Sequence, residues 1–249
     1  MRQFKIRNRV YNWLNFKQHI TISCLLCRAD TTADKPLCGL CIDSLPIASN
    51  ACYCCGLPML ESFSQVCANC LKKPPAFDRC ISAFQYDFPV NFLIQKIKHQ
   101  RQIVFLPPLV KQLSKILIHS YDDEPWPETI IPVPLHNQRL RVRGFDQSLL
   151  LARKLHTGIN ENSVLSLESR LVKRQKYTDS QQGLTAKRRK TNLKNAFIIS
   201  KSFSFRHVAI VDDVVTTGAT VSEIALLLKK QGAERVDVWC LARTAVLQN

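Results

Sequence analysis

No run of about 18 uninterrupted apolar residues occurs in this chain of 249, which excludes a membrane-crossing helix. Nor does the N-terminus offer a clean apolar stretch followed by a small-residue cleavage site, so no secretory signal is expected. No Gly-Lys-Ser/Thr phosphate loop is present, which disfavours a P-loop nucleotidase. Acidic residues are scarce, 19 against 35 Lys plus Arg, for a formal charge of +16. The excess is confined to three stretches: residues 1–23 carry five basic and no acidic residues, 135–154 are net +4 and 173–194 net +7. The rest of the chain is neutral, so the charge points to polyanionic partners, nucleic acid or a polyphosphate small molecule, unless these are merely solvated helix faces. With 46% hydrophobic residues there is material for one sizeable core and a smaller satellite module.

Three segments are expected: a basic N-terminal stretch (1–23), a cysteine-rich module (24–75) and an α/β domain (76–249). Within the first, Phe4, Ile6, Val10, Trp13, Leu14 and Phe16 lie among basic residues. They make either a surface helix touching membrane or partner, or a frayed tail. The expected location is cytoplasmic, with the inner face of the membrane as the place for such a helix.

Ten of the eleven cysteines precede residue 81. Cys24/Cys27, Cys38/Cys41, Cys52/Cys55 and Cys67/Cys70 are four Cys-x2-Cys pairs, and such a turn lets two thiolates converge on one tetrahedral ion. Four pairs make two sites, by sequential pairing (24/27/38/41 and 52/55/67/70), the favoured reading, or by an interleaved cross-brace. Structural zinc is the leading occupant; an iron–sulfur cluster or redox-active thiols are the alternatives. Cys54 is spare, and Cys80 and Cys240 read as small buried hydrophobes.

Downstream, residues 80–86 alternate like a strand, and residues 90–97 and 109–117 carry helical stripes. Residues 129–133 read as a buried strand and 135–145 as a basic loop. Asp146 is placed to cap a helix through Leu155, and 157–195 is polar, basic and expected to be mobile. Residues 208–241 make a βαβ unit, with Gly232 as the helix stop, so the sheet is parallel there. At its first turn stand Asp212, Asp213, Val214, Val215, Thr216, Thr217, Gly218, Ala219 and Thr220. Backbone N–H groups and Thr hydroxyls at a helix start can cradle a phosphate, Gly218 permits close approach, and the carboxylates can accept sugar hydroxyls; the alternative is an ordinary strand–turn–helix in which Thr merely caps and Asp213 is solvated.

This run is similar to the phosphoribosyl-pyrophosphate (PRPP) loop of type I phosphoribosyltransferases. Together with residues 131–135, Arg139, the Arg143-Gly144-Phe145-Asp146-Gln147-Ser148 segment, Thr178, Gln181, Asn192, Leu193, Ala196, Phe197, the four cysteine pairs and residues 238–244, it resembles the ComF family, most closely its GntX/YhgH-like branch. The resemblance spans nearly the whole chain. It implies an α/β, type I phosphoribosyltransferase-like parallel sheet with a small N-terminal four-cysteine zinc-finger module, in a bacterial family linked to competence and use of external DNA. By that analogy Asp212 and Asp213 hold the ribose hydroxyls, Thr216 to Thr220 the 5′-phosphate, and Arg139, Arg143, Arg174, Thr178 and Gln181 belong to pyrophosphate-facing loops. Zn²⁺ would be structural, and Mg²⁺ would arrive with PRPP. The implied reaction is displacement of Mg²⁺-pyrophosphate at the ribose anomeric carbon, with Asp213 as a possible general base and the acceptor unknown. Lys98 matches a family lysine position, although His99 and Gln100 replace the usual Tyr and Gly. The competing expectation is a non-catalytic, single-stranded-DNA-binding accessory protein with a regulatory or vestigial PRPP site, with competence or DNA-uptake proteins as partners; Tyr53, Phe63, Phe77 and Tyr177 could stack bases there, but burial in small cores is the favoured reading of each.

Overall fold

The computed structural model describes residues 21–32, 35–59, 64–159, 165–176 and 195–245. The cysteine-rich part contributes a short antiparallel pair, β1 (Thr21–Ser23) and β2 (Asp30–Thr32), and two single-turn helices, α1 (Gly39–Asp43) and α2 (Ala68–Lys72). There follow β3 (Arg79–Gln85), α3 (Val90–Gln100), a 3-10 turn (Ile103–Phe105), α4 (Leu106–Ser120) and β4 (Thr129–Pro132). Next come α5 (Asn137–Arg143), α6 (Gln147–Ile159), β5 (Ser166–Leu167), β6 (Val172–Arg174) and β7 (Phe197–Ile199). The chain closes with β8 (His207–Val215), α7 (Ala219–Lys230) and β9 (Arg235–Arg243). Among the described residues the main sheet has the order β3-β9-β8-β4-β5, parallel throughout, and β6 pairs antiparallel with β7 outside it.

The central strands are continuously apolar because both faces are covered. Ala209 and Val211 of β8 face a core built from Trp239, Leu241, Phe84 and the stripes of α3, α4 and α6; Val208 and Ile210 face a second core with Val221, Ile224 and Leu228 of α7. In the first core the Trp239 indole donates to the Tyr121 hydroxyl (3.0 Å), which donates to fully buried Asp237 (2.6 Å). Arg235 Nε at 3.1 Å compensates that carboxylate, so the buried charge is paired.

The cysteine-rich part shares this packing. Leu37, Cys41 and Leu45 belong to the first core, Ala48 N–H donates to the Ala83 carbonyl (3.0 Å), and Gln85 N–H donates to the Pro46 carbonyl (2.8 Å).

Three expectations are corrected. The basic loop at 135–145 contains α5: the His136 ring accepts from Gln138 N–H (3.3 Å) at its start and Gly144, at φ +79°, ends it. It has no buried residue, with Leu140 and Val142 exposed, so no apolar stripe announces it. The helix after Asp146 continues four residues beyond Leu155, because Ile159 carries its buried face one turn further. Within the weakly periodic 157–195 segment, β5 and β6 form, while residues 177–194 lie outside the described residues. Residues 1–20 lie outside them as well. No helix of the described residues is long and apolar enough to cross a membrane.

Candidate functional site

At the carboxyl end of β8 the chain must leave the sheet and start α7. Gly218 makes that turn in the left-handed region (φ +74°), where an L side chain is strained; the space beside it is ordinary, since an added Cβ would meet the Phe77 ring at 3.5 Å. The Thr217 hydroxyl accepts from Ala219 N–H (3.4 Å). The turn opens onto a cleft of about 660 Å³ beside the ends of β4 and β8, the place where parallel α/β sheets bind ligands.

Asp212, Asp213, Thr216, Gly218, Ala219 and Thr220 line this cleft; Thr217 is exposed outside the lining. Arg139 and Arg143 of α5 and Arg174 at the end of β6 line the same cleft. Lys98 of α3 reaches in to place its Nζ 2.9 Å from Asp213 Oδ2, an ion pair not aligned as a hydrogen bond. Asp212 Oδ1 accepts from the Ser148 hydroxyl (3.0 Å) and from Asp213 N–H (2.9 Å). Burial and then the neighbouring Asp213 carboxylate push Asp212 up to about 7, against the opposing pull of Lys98 and Ser148. Burial lowers Arg143 and Arg174 from the usual guanidinium range, and the facing Asp213 and Asp212 respectively oppose that shift. Asp146 fixes α5 against α6: Oδ2 accepts from Leu135 N–H and Oδ1 from Leu149 N–H, each at 3.0 Å, the second capping α6.

The cysteines segregate into two groups, Cys24/Cys27/Cys38/Cys41 and Cys52/Cys55/Cys67/Cys70, with all sulfurs of each group within 4.8 Å of one another. That is the sequential pairing, and Cys54 stands outside both groups. Cys24 Sγ accepts from Cys38 N–H (3.3 Å) and Cys52 Sγ from Cys67 N–H (3.2 Å), so the two knuckles repeat one design. Burial raises the Cys24 thiol, but N–H groups of Cys27, Cys38 and Leu26 outweigh it and bring the thiol down to about 6. Cys41 is driven far up by burial and by the sulfurs around it. Four thiolates this close need a cation to ionise together, which suits tetrahedral Zn²⁺.

Residues 146–247 match the phosphoribosyl transferase domain and residues 21–71 the double zinc ribbon domain. Competence protein F of Haemophilus influenzae is 38% identical over 247 residues, covering 93% of this chain and 99% of that protein. The chain belongs to the ComF family. DNA utilization protein YhgH of Escherichia coli (strain K12) is 38% identical over 224 residues, 89% of this chain and 96% of that protein. The more distant ComF-family relative, competence protein ComFC of Bacillus subtilis, is 24% identical over 221 residues, 85% of each chain.

In this ComF-family chain, then, one cleft gathers the acidic pair, most of the Thr/Gly turn and the three arginines singled out from sequence, while Thr178 and Gln181 lie outside the described residues. Phe77 is buried beneath the Gly218 turn, in line with the favoured core reading, because the segment entering β3 runs under α7. Tyr53 is half-exposed, and Phe63 and Tyr177 lie outside the described residues. Ser148 and Gln147, present in the sequence motif but given no role, face the cleft; the buried Gln147 Oε1 has no hydrogen-bond partner there. No local pattern pairs Lys98 with Asp213, since the two are 115 positions apart and only the sheet order brings α3 over β8.

Proposed function

We propose that this cleft binds PRPP with Mg²⁺ and that the protein is a PRPP-binding, phosphoribosyltransferase-like ComF-family member acting in competence or the use of external DNA. The observation that carries the reading is a single cleft lined both by an acidic pair with a helix-start turn and by Arg139, Arg143 and Arg174. A molecule with a diol in its middle and phosphates at both ends matches that distribution. The names of the competence and DNA-utilization relatives supply the cellular setting.

In this reading Thr216, Thr220 and the amides that begin α7 take the 5′-phosphate, assisted by the helix dipole. Asp212 and Asp213 accept the ribose hydroxyls, and Gln147 Oε1 offers a further acceptor. Arg139, Arg143 and Arg174 neutralise the pyrophosphate as its charge develops. Bound Mg²⁺ would neutralise charge on the leaving pyrophosphate, and Asp212 and Asp213, adjacent in the lining of the cleft, would be the acidic groups beside it. Lys98 Nζ, 2.9 Å from the buried Asp213 Oδ2, holds that carboxylate in place for the sugar. The protein works in the cytoplasm.

Calorimetric titration with Mg²⁺ and PRPP tests the site, followed by a pyrophosphate-release assay with added bases or single-stranded DNA. Saturable binding is expected for the parent and its loss for Asp212→Asn and Asp213→Asn, with zinc content and circular dichroism retained. Unchanged affinity in both variants overturns the assignment. Pyrophosphate release on adding an acceptor makes the protein an enzyme; binding without release makes it a PRPP sensor.

A further inference from the structure

Arg243 stands at the end of β9 with 3% of its surface exposed. Among the described residues no carboxylate lies within ion-pair distance of it; its guanidinium is held by backbone carbonyls alone. Nε donates to the Cys55 carbonyl (2.8 Å), and Nη1 donates to the carbonyls of Val215 (3.0 Å), Thr216 and Thr244 (3.1 Å). Cys55 belongs to the second cysteine group, and Thr216 opens the turn that leads into α7. One planar, rigid fork therefore ties the second metal knuckle to the first residue of the phosphate turn.

The knuckle is itself held fast. Gly56, at φ +67°, presses so closely on β3 that a Cβ there would lie 2.9 Å from Cys80 Sγ. Thr244 doubles the link on the other side, its N–H donating to the Val215 carbonyl (3.2 Å) and its hydroxyl to the Thr216 carbonyl (3.4 Å). A buried guanidinium without a counter-ion is costly to desolvate, so its presence calls for a geometric reason. The first cysteine group makes no hydrogen bond to this turn among the described residues, and so serves as an internal control.

We infer that Arg243 is a positioning residue through which zinc held by Cys52, Cys55, Cys67 and Cys70 keeps the Thr216 turn in its ligand-ready form. Loss of that ion frees the Cys55 carbonyl, slackens the fork and loosens the start of α7. The zinc ribbon is thus a condition on the cleft as well as a scaffold, and metal loss at the second knuckle switches the cleft off. The ligand consequence rests on the PRPP reading above; the mechanical coupling does not.

The test is amide hydrogen exchange on full-length, zinc-loaded protein, comparing the parent with Cys67→Ser, Cys38→Ser, Arg243→Met and the Cys67→Ser/Arg243→Met double variant. The reporters are Thr244 N–H, bonded to Val215, and Ser222 N–H, bonded to Gly218 at the start of α7. Cys67→Ser and Arg243→Met are each expected to speed exchange at both reporters about fivefold or more, the double variant no further than either alone. Cys38→Ser is expected to change both reporters no more than it changes the amides of Ala209 and Ile210, which report global stability in every variant. If Cys67→Ser leaves the reporters as protected as in the parent, or moves them no more than Cys38→Ser does, the coupling is overturned. That comparison holds even if Arg243→Met fails to fold. PRPP titration of the same proteins keeps the two ideas apart: no binding to the parent defeats the PRPP reading, while the exchange result decides the coupling by itself.

Discussion

A second carboxylate beside Asp212 would place net negative charge in a cleft facing a polyanion, were it not for the Lys98 ammonium 2.9 Å from Asp213. Lys98→Met is accordingly expected to weaken Mg²⁺-PRPP binding about tenfold, the size of effect that follows when one partly buried charge partner is taken away. The acidic pair also sets a pH dependence. Asp212 holds its proton in the folded chain up to about 7, against an ordinary 3.8. A raised carboxyl contributes stability that is complete below the ordinary value and is lost as pH rises through the folded one. Parent stability should therefore fall between about pH 4 and pH 7, and Asp212→Asn should flatten that fall and unfold at the higher temperature near pH 8, as thermal scans across pH will read. A stability-neutral Asp212→Asn would mean the carboxyl is not strained. In the first core, Tyr121→Phe removes both the proton given to Asp237 and the acceptor of the Trp239 indole. A loss of about 1–3 kcal/mol is expected in urea titrations.

Among the elements, β8, its turn and α7 were the most legible in sequence, because a strand covered on both faces must be continuously apolar and its helix must carry a stripe. The cysteine groups were legible for a different reason: a Cys-x2-Cys turn is a local geometry that needs no long-range contact. The helix α5 was not, since it packs no apolar face and owes its start and stop to His136 and Gly144. Nor were the partners of Lys98, Ser148 and Arg243, which meet their carboxylates and carbonyls only after the sheet order is set. Gly218→Ala separates conformation from space at the key turn. Its Cβ has ordinary room at 3.5 Å from Phe77, but the φ of +74° is unfavourable by about 1–2 kcal/mol. A modest drop in melting temperature with a clear loss of PRPP affinity is expected, and intact affinity would show that the turn tolerates relaxation.

At the scale of the whole molecule, the first knuckle of the ribbon and the sheet share one core, since Leu37 and Leu45 sit in the same core as Trp239 and Leu113. Metal analysis should find two zinc ions per chain, one for each cysteine group. Their removal by a chelator should shift one thermal transition downward rather than add a second, as scanning calorimetry will report. The concentrated positive charge bears on partner choice: binding of single-stranded DNA, if it accompanies PRPP binding, should weaken with salt at a slope of about −0.7 per phosphate contacted. The hydrogen bonds from residues 46–48 to β3 have one more consequence. They occupy the outer rim of the sheet, which would otherwise present a row of unpaired backbone groups to any passing strand. A chain shortened to begin at β3 would keep its cleft residues yet lose Leu37 and Leu45 from its core and expose that rim, so self-association by strand addition would accompany its loss of stability.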